Sequence, residues 1–293
     1  MSIWDLHCHS TASDGALSPD HLLKRAAGCG VTHLAITDHD SVDGVREILA
    51  KSNEQIEVPP NVQVINPAPK IINGVEISAL DGDFCVHVLG LWIDVDSAPL
   101  NEMLASQQSL RQQRGQTISD RLEAKGLPAT LDGALERANG SALGRPHFAH
   151  YMTDIGVVDD VGHAFKRWLG RGKPGDVGIN WPSVEKVINT IHTSGGVAVL
   201  AHPHKYRLTY GKIYAMCERF KSAGGDAIEV ISGSQGIKQT KDLTRIARQL
   251  ELAASTGSDF HSPDQVWCDL GKQPSLPKEC TAIWQLRAET RKC

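Results

Sequence analysis

The sequence predicts an α/β fold built on a mainly parallel sheet, open or closed into a barrel. Short apolar runs alternate with amphipathic helical stretches at both ends of the chain, which is the pattern of strand–helix–strand units. Histidines and acidic residues collect at the ends of those runs, where parallel α/β sheets bind their ligands. The stretch between the two alternating ends is polar and helical, so an insertion into the sheet domain is expected there.

Ile3-Trp4-Asp5-Leu6-His7-Cys8-His9 reads as the first strand, and the turn-rich Ser10 to Gly15 as its loop. Ser18-Pro19-Asp20 supplies an N-cap and a proline at the first helical position, Leu22, Leu23 and Ala26 an apolar face, and Gly28 and Gly30 a stop. Leu34-Ala35-Ile36-Thr37 is the second strand, ending in Asp38-His39-Asp40, with a short helix through Val45, Ile48 and Leu49 after it. Residues 51–70, with Pro59, Pro60, Pro67 and Pro69, read as an irregular surface excursion. Ile71-Ile72 with Val75-Glu76-Ile77 gives a third strand and Val86 to Leu91 a fourth, joined by the turn at Asp81-Gly82-Asp83. From about Pro99 to Lys173 the pattern is helical, with Gln107, Gln108, Arg111, Gln112, Gln113 and Arg114 in one polar run. The expected division is therefore a sheet domain of 1–98 and 174–293 carrying a mainly α-helical lobe of 99–173. Beyond it come a helix over 183–193 stopped by Gly195-Gly196 and the strand Val197 to Ala201 ending at His202. A helix around Met216 to Phe220, the strand Ala227 to Ile231 and the strand Leu252 to Ser255 follow, the last leading into Gly257-Ser258-Asp259-Phe260-His261.

With 293 residues, the chain is long enough for one large domain or a core domain with a smaller one. Its 41% hydrophobic and 22% charged residues are the balance of a folded globular protein. A formal charge of -4 excludes a global basic field for holding nucleic acid non-specifically, so an anionic substrate needs a local source of positive charge. No apolar run approaches the ~20 residues that span a bilayer, so no membrane association is expected. A signal peptide is hard to place over Asp5, His7 and His9. The seven cysteines are scattered and form no C-x-x-C pair, which points to reduced thiols and a cytoplasmic location.

The chemistry lies in the histidines. His7 and His9 are two apart on a strand and share a face, which turns Cys8 into the packing. Asp259 and His261 repeat that spacing in a loop, and His39, Glu76, His87 and His202 fall in or at the ends of other strands. Imidazoles with carboxylates suit zinc, manganese or iron better than calcium. Six histidines with Asp14, Glu76 and Asp259 exceed what one tetrahedral ion needs, which implies two or three ions. Three divalent ions outweigh three carboxylates by about 3 charges, an anion trap inside a chain of net charge -4. His21, His33, His163 and His192 read as surface or packing residues. Asp38 and Asp40 can orient His39 or simply be solvated in the loop, and Glu229 reads more simply as an ordinary strand residue than as an orienting group.

Taken in order, Asp5-Leu6-His7-Cys8-His9-Ser10 with Asp14-Gly15, Ile36-Thr37-Asp38-His39-Asp40, Gly74-Val75-Glu76-Ile77-Ser78, His87-Val88-Leu89-Gly90, Ala201-His202-Pro203 and Gly257 to His261 resemble the successive motifs of the PHP (polymerase and histidinol phosphatase) metal-dependent phosphoesterases. The lobe carrying Gly144-Arg145-Pro146-His147-Phe148-Ala149 resembles that of a small bacterial branch related to RNase AM. The resemblance implies a distorted (β/α)7 barrel with a site for three divalent ions, manganese first, with iron or zinc as other occupants. It implies that His7, His9, Glu76 and Asp259 hold one ion, that Glu76 bridges to a second held by His87 and His202, and that Asp14, His39 and His261 hold the third. The activity it implies is hydrolysis of the 5′-phosphate ester of nucleoside 3′,5′-bisphosphates, or of short RNA in the 5′→3′ direction. A metal-bridging hydroxide held by Glu76, Asp259 and His202 is the expected nucleophile.

Arg145 is the leading candidate for clamping substrate phosphate through a bidentate guanidinium, although it can equally cap the lobe through a salt bridge. Lys173 and His204 are weaker candidates. Aromatic residues make up only 5%, so a short substrate gripped at its phosphates is favoured over a broad base-stacking platform. No stable protein partner is expected. Two other functions stay open: another small-molecule phosphatase, such as one acting on histidinol phosphate, and a non-catalytic metal-binding module. The Pro-rich stretch 51–70 is longer than the resemblance leads one to expect and bears on substrate preference.

Overall fold

Seven strands lie side by side in chain order: β1 (Trp4–Asp5), β2 (His33–Ile36), β3 (Lys70–Asp81), β4 (Phe84–Leu91), β5 (Val197–Leu200), β6 (Ala227–Ser232) and β7 (Ala253–Gly257). The structure, a computed structural model, describes residues 2–53, 67–128, 130–265 and 267–290. All neighbouring strands are parallel except β4, which runs antiparallel to both β3 and β5. The backbone beyond β7 pairs with the backbone beyond β1: Leu6 N donates to Thr256 O at 3.0 Å, Asp259 N to His7 O at 2.7 Å and His9 N to Phe260 O at 2.9 Å. These bonds bring the sheet round into a nearly closed barrel.

Helices α1 (Pro19–Gly28) and α2 (Asp43–Asn53) follow the first two strands. Between β4 and β5 come α3 (Ala98–Glu123), α4 (Thr130–Ala138), α5 (Arg145–Asp154) and α6 (Val161–Ala164), the last running into a π-helical turn over Phe165–Leu169. Helices α7 (Val184–Thr193), α8 (Tyr210–Ser222), α9 (Ile237–Gln249) and α10 (Ile283–Thr290) complete the outer layer. Ser18 caps α1 and Ser183 caps α7, each accepting from a backbone N–H of the first turn.

Side-chain alternation divides each strand between the barrel interior and the helices. Leu34 and Ile36, Val75 and Ile77, Val86 and Val88, and Ile228 and Val230 pack outward into one core with Val187, Ile191, Leu243 and Ile246. Ala35, Ile72, Leu89, Val199 and Ala227 fill the interior with Leu6 and Ile283. The same parity carries Glu76, His87 and Glu229 to the inside, above that apolar plug. Helices α3 to α6 hold their own core of Ile118, Leu122, Ala134, Phe148, Met152 and Leu169, while Leu100, Met103 and Leu104 at the start of α3 belong to the barrel core.

Three features differ from the sequence reading. The first strand is two residues long, and His7 and His9 lie beyond it, tied across the closure rather than within a ladder. Strand β3 is 12 residues long, because its far half pairs with β4 from Gly74↔Leu91 out to Asp81↔Phe84; Glu76 therefore sits inside a strand and not at its end. In 51–70, residues 51–53 finish α2 and Lys70 opens β3; residues 54–66 lie outside the described residues. No helix among the described residues is long and apolar enough to cross a membrane. The six described cysteines are free, and Cys8 is buried with its Sγ 3.2 Å from Ala35 O.

Candidate metal centre

Six of the seven strands, or the loops after them, send a side chain to the upper mouth of the barrel. His7, His9 and Asp14 follow β1, His39 follows β2, Glu76 and His87 lie in the β3–β4 hairpin, His202 follows β5, and Asp259 and His261 follow β7. Because β4 is antiparallel, its early residue His87 reaches the same end as the late residues of its neighbours. The turns that aim these groups are tight. His202 (φ 32°) and Asp259 (φ 54°) take the left-handed conformation, a cost that persists at sites whose surroundings over-determine it. Gly257 passes so close to His7 that a Cβ there would stand 2.3 Å from His7 Cβ.

Two triplets of donor atoms share the His7–His9 edge, one completed by Glu76 and the other by Asp259. His7 Nε2 and His9 Nε2 are 3.2 Å apart; Glu76 Oε2 lies 3.4 and 3.3 Å from them, and Asp259 Oδ1 lies 3.4 and 3.3 Å from them. A tetrahedral ion with bonds of about 2.0–2.1 Å needs ligand–ligand edges of about 3.3–3.4 Å. Glu76 Oε1 meets His87 Nδ1 and His202 Nε2, each at 2.9 Å. Asp14 faces His261 Nε2 at 3.5 Å and His39 Nε2 at 3.8 Å. His39 Nδ1 stands 2.9 Å from Glu76 Oε2, yet neither atom completes a hydrogen bond; Asp14 Oδ1 and His202 Nδ1 are also buried without a partner. Orphaned buried polar atoms are rare and call for an unseen ligand or ion. The donor set and its spacing thus fit divalent cations.

The electrostatics agree. Burial pushes carboxylates toward the neutral form, yet Glu76, Asp14 and Asp259 are held well below the ordinary range by the surrounding histidines and, for Asp259, by Lys205. Burial likewise opposes charge on His7, His9 and His87, but the carboxylates prevail: His9 is raised to about 9 and His87 to about 10. Burial wins at His39, which falls to about 4. The site is closed below and open above: His7, His9 and Glu76 are fully buried, whereas His39, His87 and His261 are 15%, 26% and 25% exposed.

Behind these groups lies a layer that sequence reasoning largely missed. Glu229 accepts from His7 Nδ1 at 3.0 Å and from His202 N at 2.7 Å, which turns His7 Nε2 toward the cluster; it positions two members of the cluster and is not an ordinary strand residue. The signal was present, because a carboxylate inside the apolar run Ala227 to Ile231 cannot be buried without donors. Lys205 bonds Asp259 Oδ2 and leaves Oδ1 to the histidines. Asp38 and Asp40 neither bond His39 nor lie in solvent. Asp38 accepts from Ser10 N, Ser10 Oγ and Ser13 Oγ, each at 2.7 Å, and so shapes the Asp14 loop. Asp40 accepts from Ser78 N at 2.8 Å and Arg111 Nε at 2.8 Å, which anchors α3 to the mouth.

His21, His33, His163 and His192 stay outside the cluster, with partners Ser18, Trp4, Asp159 and Asp226. The phosphate candidates are dispersed. Arg145 makes no salt bridge among the described residues; its Nη1 donates to Leu169 O at 3.1 Å and its guanidinium lies over Phe165. Nearby Arg114 has a buried Nε without a partner, and burial together with Arg145 and Arg111 pushes its pKa down to about 10. Lys173 is exposed in the loop after the π-helical turn. His204 follows His202 and Pro203, its Nδ1 buried and unpartnered, and burial lowers its pKa to about 4. The lobe touches the Asp14 loop directly: His147 Nε2 lies 3.2 Å from Ser13 O, and Ser141 Oγ donates to the same oxygen at 2.8 Å.

Comparison with known proteins agrees with this architecture. The sequence profile of the PHP domain matches residues 5–121. The chain is 39% identical to the 5′-3′ exoribonuclease Rnm of Escherichia coli (strain K12), over 97% of this chain and 93% of that protein. It is 37% identical to the 3′,5′-nucleoside bisphosphate phosphatase of Chromobacterium violaceum, over 97% of this chain and 96% of that protein. Among solved structures, an amidohydrolase from Chromobacterium violaceum with bound sulfate and no metal superposes with a TM-score of 0.87 at 37% identity, covering 99% of this chain and 97% of that one. Identity of 37–39% over nearly the full length, together with a shared barrel, makes this chain a member of the PHP domain family.

Proposed function

We propose that the chain is a divalent-metal-dependent phosphoesterase that hydrolyses a ribose phosphate ester in nucleoside 3′,5′-bisphosphates and in short RNA taken from the 5′ end. The observation that carries the reading is that Glu76 Oε2 and Asp259 Oδ1 each lie 3.3–3.4 Å from both His7 Nε2 and His9 Nε2, themselves 3.2 Å apart, on a floor of orphaned buried carboxylate and imidazole atoms. The names of the two relatives support the substrate class.

In this reading His7, His9, Glu76 and Asp259 hold one ion, Glu76 with His87 and His202 a second, and Asp14 with His39 and His261 a third. Three ions are proposed, manganese first; the nitrogen and oxygen donors suit iron and zinc as well. Bound cations supply Lewis acidity and an activated water. The chain's own residues do the rest. Glu229 and Lys205 hold His7 and Asp259 in their ligating orientation. The open sector at His39, His87 and His261 admits the phosphoryl group, and the buried side excludes bulk water. Arg145, with Arg114 beside it, offers a second phosphate two guanidiniums that lack an anionic partner among the described residues. Lys173 and His204 are proposed as lesser phosphate contacts. The lobe 99–173 serves as the substrate lobe on a barrel of 1–98 and 174–293, and the scattered free thiols favour the cytoplasm.

Purified protein supplied with Mn²⁺ is offered adenosine 3′,5′-bisphosphate, a 5′-phosphorylated short RNA and histidinol phosphate, and its metal content is measured by elemental analysis. Turnover of the first two with about three ions per chain is expected. Turnover of histidinol phosphate alone assigns a different phosphatase, and no turnover with a loaded site assigns a metal-binding module.

A further inference from the structure

Outside the metal centre, a cleft of about 340 Å³ is lined by the β3–β4 turn, by α8 and by Arg171 at the end of the helical lobe. That is the size of a site for one nucleotide-scale ligand. Its floor is apolar, made by Phe84, Leu208 and Met216. Its rim is cationic: Arg171 comes from the lobe, and Lys212 and Arg219 come from α8. Asp81 is the one carboxylate lining it among the described residues, and that carboxylate is taken up by Arg219, whose Nε donates to it at 2.8 Å. Arg171 and Lys212 are exposed and have no ion-pair partner among the described residues.

The cleft is coupled in space to the metal centre. Phe84 meets Tyr206 edge-on at 5.6 Å, and Tyr206 meets His202 at 5.5 Å. Tyr206 Oη also accepts from the backbone N–H of His87 at 2.8 Å. Tyr206 therefore bridges a cleft residue, Phe84, and two of the proposed ligands, His202 and His87.

We infer that this cleft is a subsite for the RNA strand on the 3′ side of the scissile phosphate, taking a nucleobase on Phe84 and Leu208 and a phosphodiester between Arg171 and Lys212. Flat apolar surface beside free cations is the pairing that single-stranded nucleic acid requires, since a base stacks and its phosphate is neutralised. A mononucleotide ends at the metal centre and never reaches the cleft. The subsite thus separates the two substrates of the proposed activity, on which this inference rests.

The test uses the full-length, Mn²⁺-loaded protein and the double variant Arg171→Glu/Lys212→Glu. Both positions are exposed, so an unchanged melting curve confirms folding. Hydrolysis of adenosine 3′,5′-bisphosphate is expected to be unchanged, while KM for a 5′-phosphorylated tetraribonucleotide rises about tenfold. In parallel, binding of a 3′-labelled tetraribonucleotide to metal-free protein is followed by fluorescence anisotropy. The double variant is expected to bind more weakly, with the slope of log K against log salt smaller by about 0.7, the value for one phosphate no longer neutralised. Equal tetranucleotide KM and equal binding in the two proteins would overturn the subsite, as would equal losses on both substrates. Failure of the wild type to hydrolyse the mononucleotide refutes the proposed activity instead, and the anisotropy arm still decides the cleft.

Discussion

A carboxylate in the middle of a strand is the residue that most directly links burial to chemistry in this barrel. Glu229 is fully buried, and its two oxygens are spent on His7 Nδ1 and the backbone of His202, groups that belong to different walls of the cluster. An amide at this position keeps the shape but has one accepting oxygen, so its NH2 must face a donor on one side. Glu229→Gln is expected to weaken metal binding by about 10–100-fold, the usual effect of losing a group that orients a ligand. It is also expected to cost about 1–3 kcal/mol of stability for the hydrogen bond left unmade. Chelator competition reads the first and denaturant titration the second; wild-type metal affinity in this variant would remove Glu229 from the design. At this scale the sequence was informative where side-chain type and spacing suffice. The two-residue spacings of His7 with His9 and of Asp259 with His261 picked out side chains that the fold brings together. It was silent on Lys205, because nothing in Pro203-His204-Lys205 says that the lysine folds back onto a residue 54 positions away.

At the scale of elements, α3 defeats a reading by hydropathy for a physical reason. Its run Gln107 to Arg114 looks like a solvated face, yet Gln107 and Arg111 are buried and bond Asp40 and the Ser78 segment behind His39 and Glu76. Residues four apart share a helix face, so the two act as one polar key. Polar groups buried against polar groups leave no apolar stripe for a periodicity argument to find. The strands were legible because alternation is enforced by two kinds of neighbour, whereas the length of β3 depends on its pairing with β4 and not on its own residues. Arg111→Met removes the cation facing a buried Asp40 carboxylate and is expected to cost about 3–5 kcal/mol in denaturant unfolding, because an uncompensated buried charge is left behind. Adding Asp40→Asn is expected to restore part of that loss. If Arg111→Met unfolds at the wild-type midpoint, α3 is not held to the mouth by this pair.

Across the whole molecule, the proposed ligands come from the first strand's loop and the last, so bound ions join the two edges that close the barrel. Cations that bind the native state alone stabilise it by mass action, by about 2.7 kcal/mol for one site at a hundredfold excess over its Kd. For a chain of this size that is a melting shift of about 4 °C. The size of the gap depends on pH through His9 and His87. In the metal-free protein burial opposes their charge, but Glu76 and its neighbours raise them from 6.5 to about 9 and about 10. A histidine raised in the folded state contributes stability that is complete below 6.5 and is lost as pH climbs through the folded value. Chelator-treated protein is therefore expected to melt progressively lower between pH 7 and pH 10. Loaded protein has already exchanged these protons for its ions and escapes that loss. The difference between the two melting curves should widen with pH, and metal uptake at neutral pH should release protons to the buffer, visible as a calorimetric enthalpy that varies with buffer ionisation. Parallel curves for the two forms, with no proton release, would mean that these two imidazoles do not bind the ions and that the barrel closes without them.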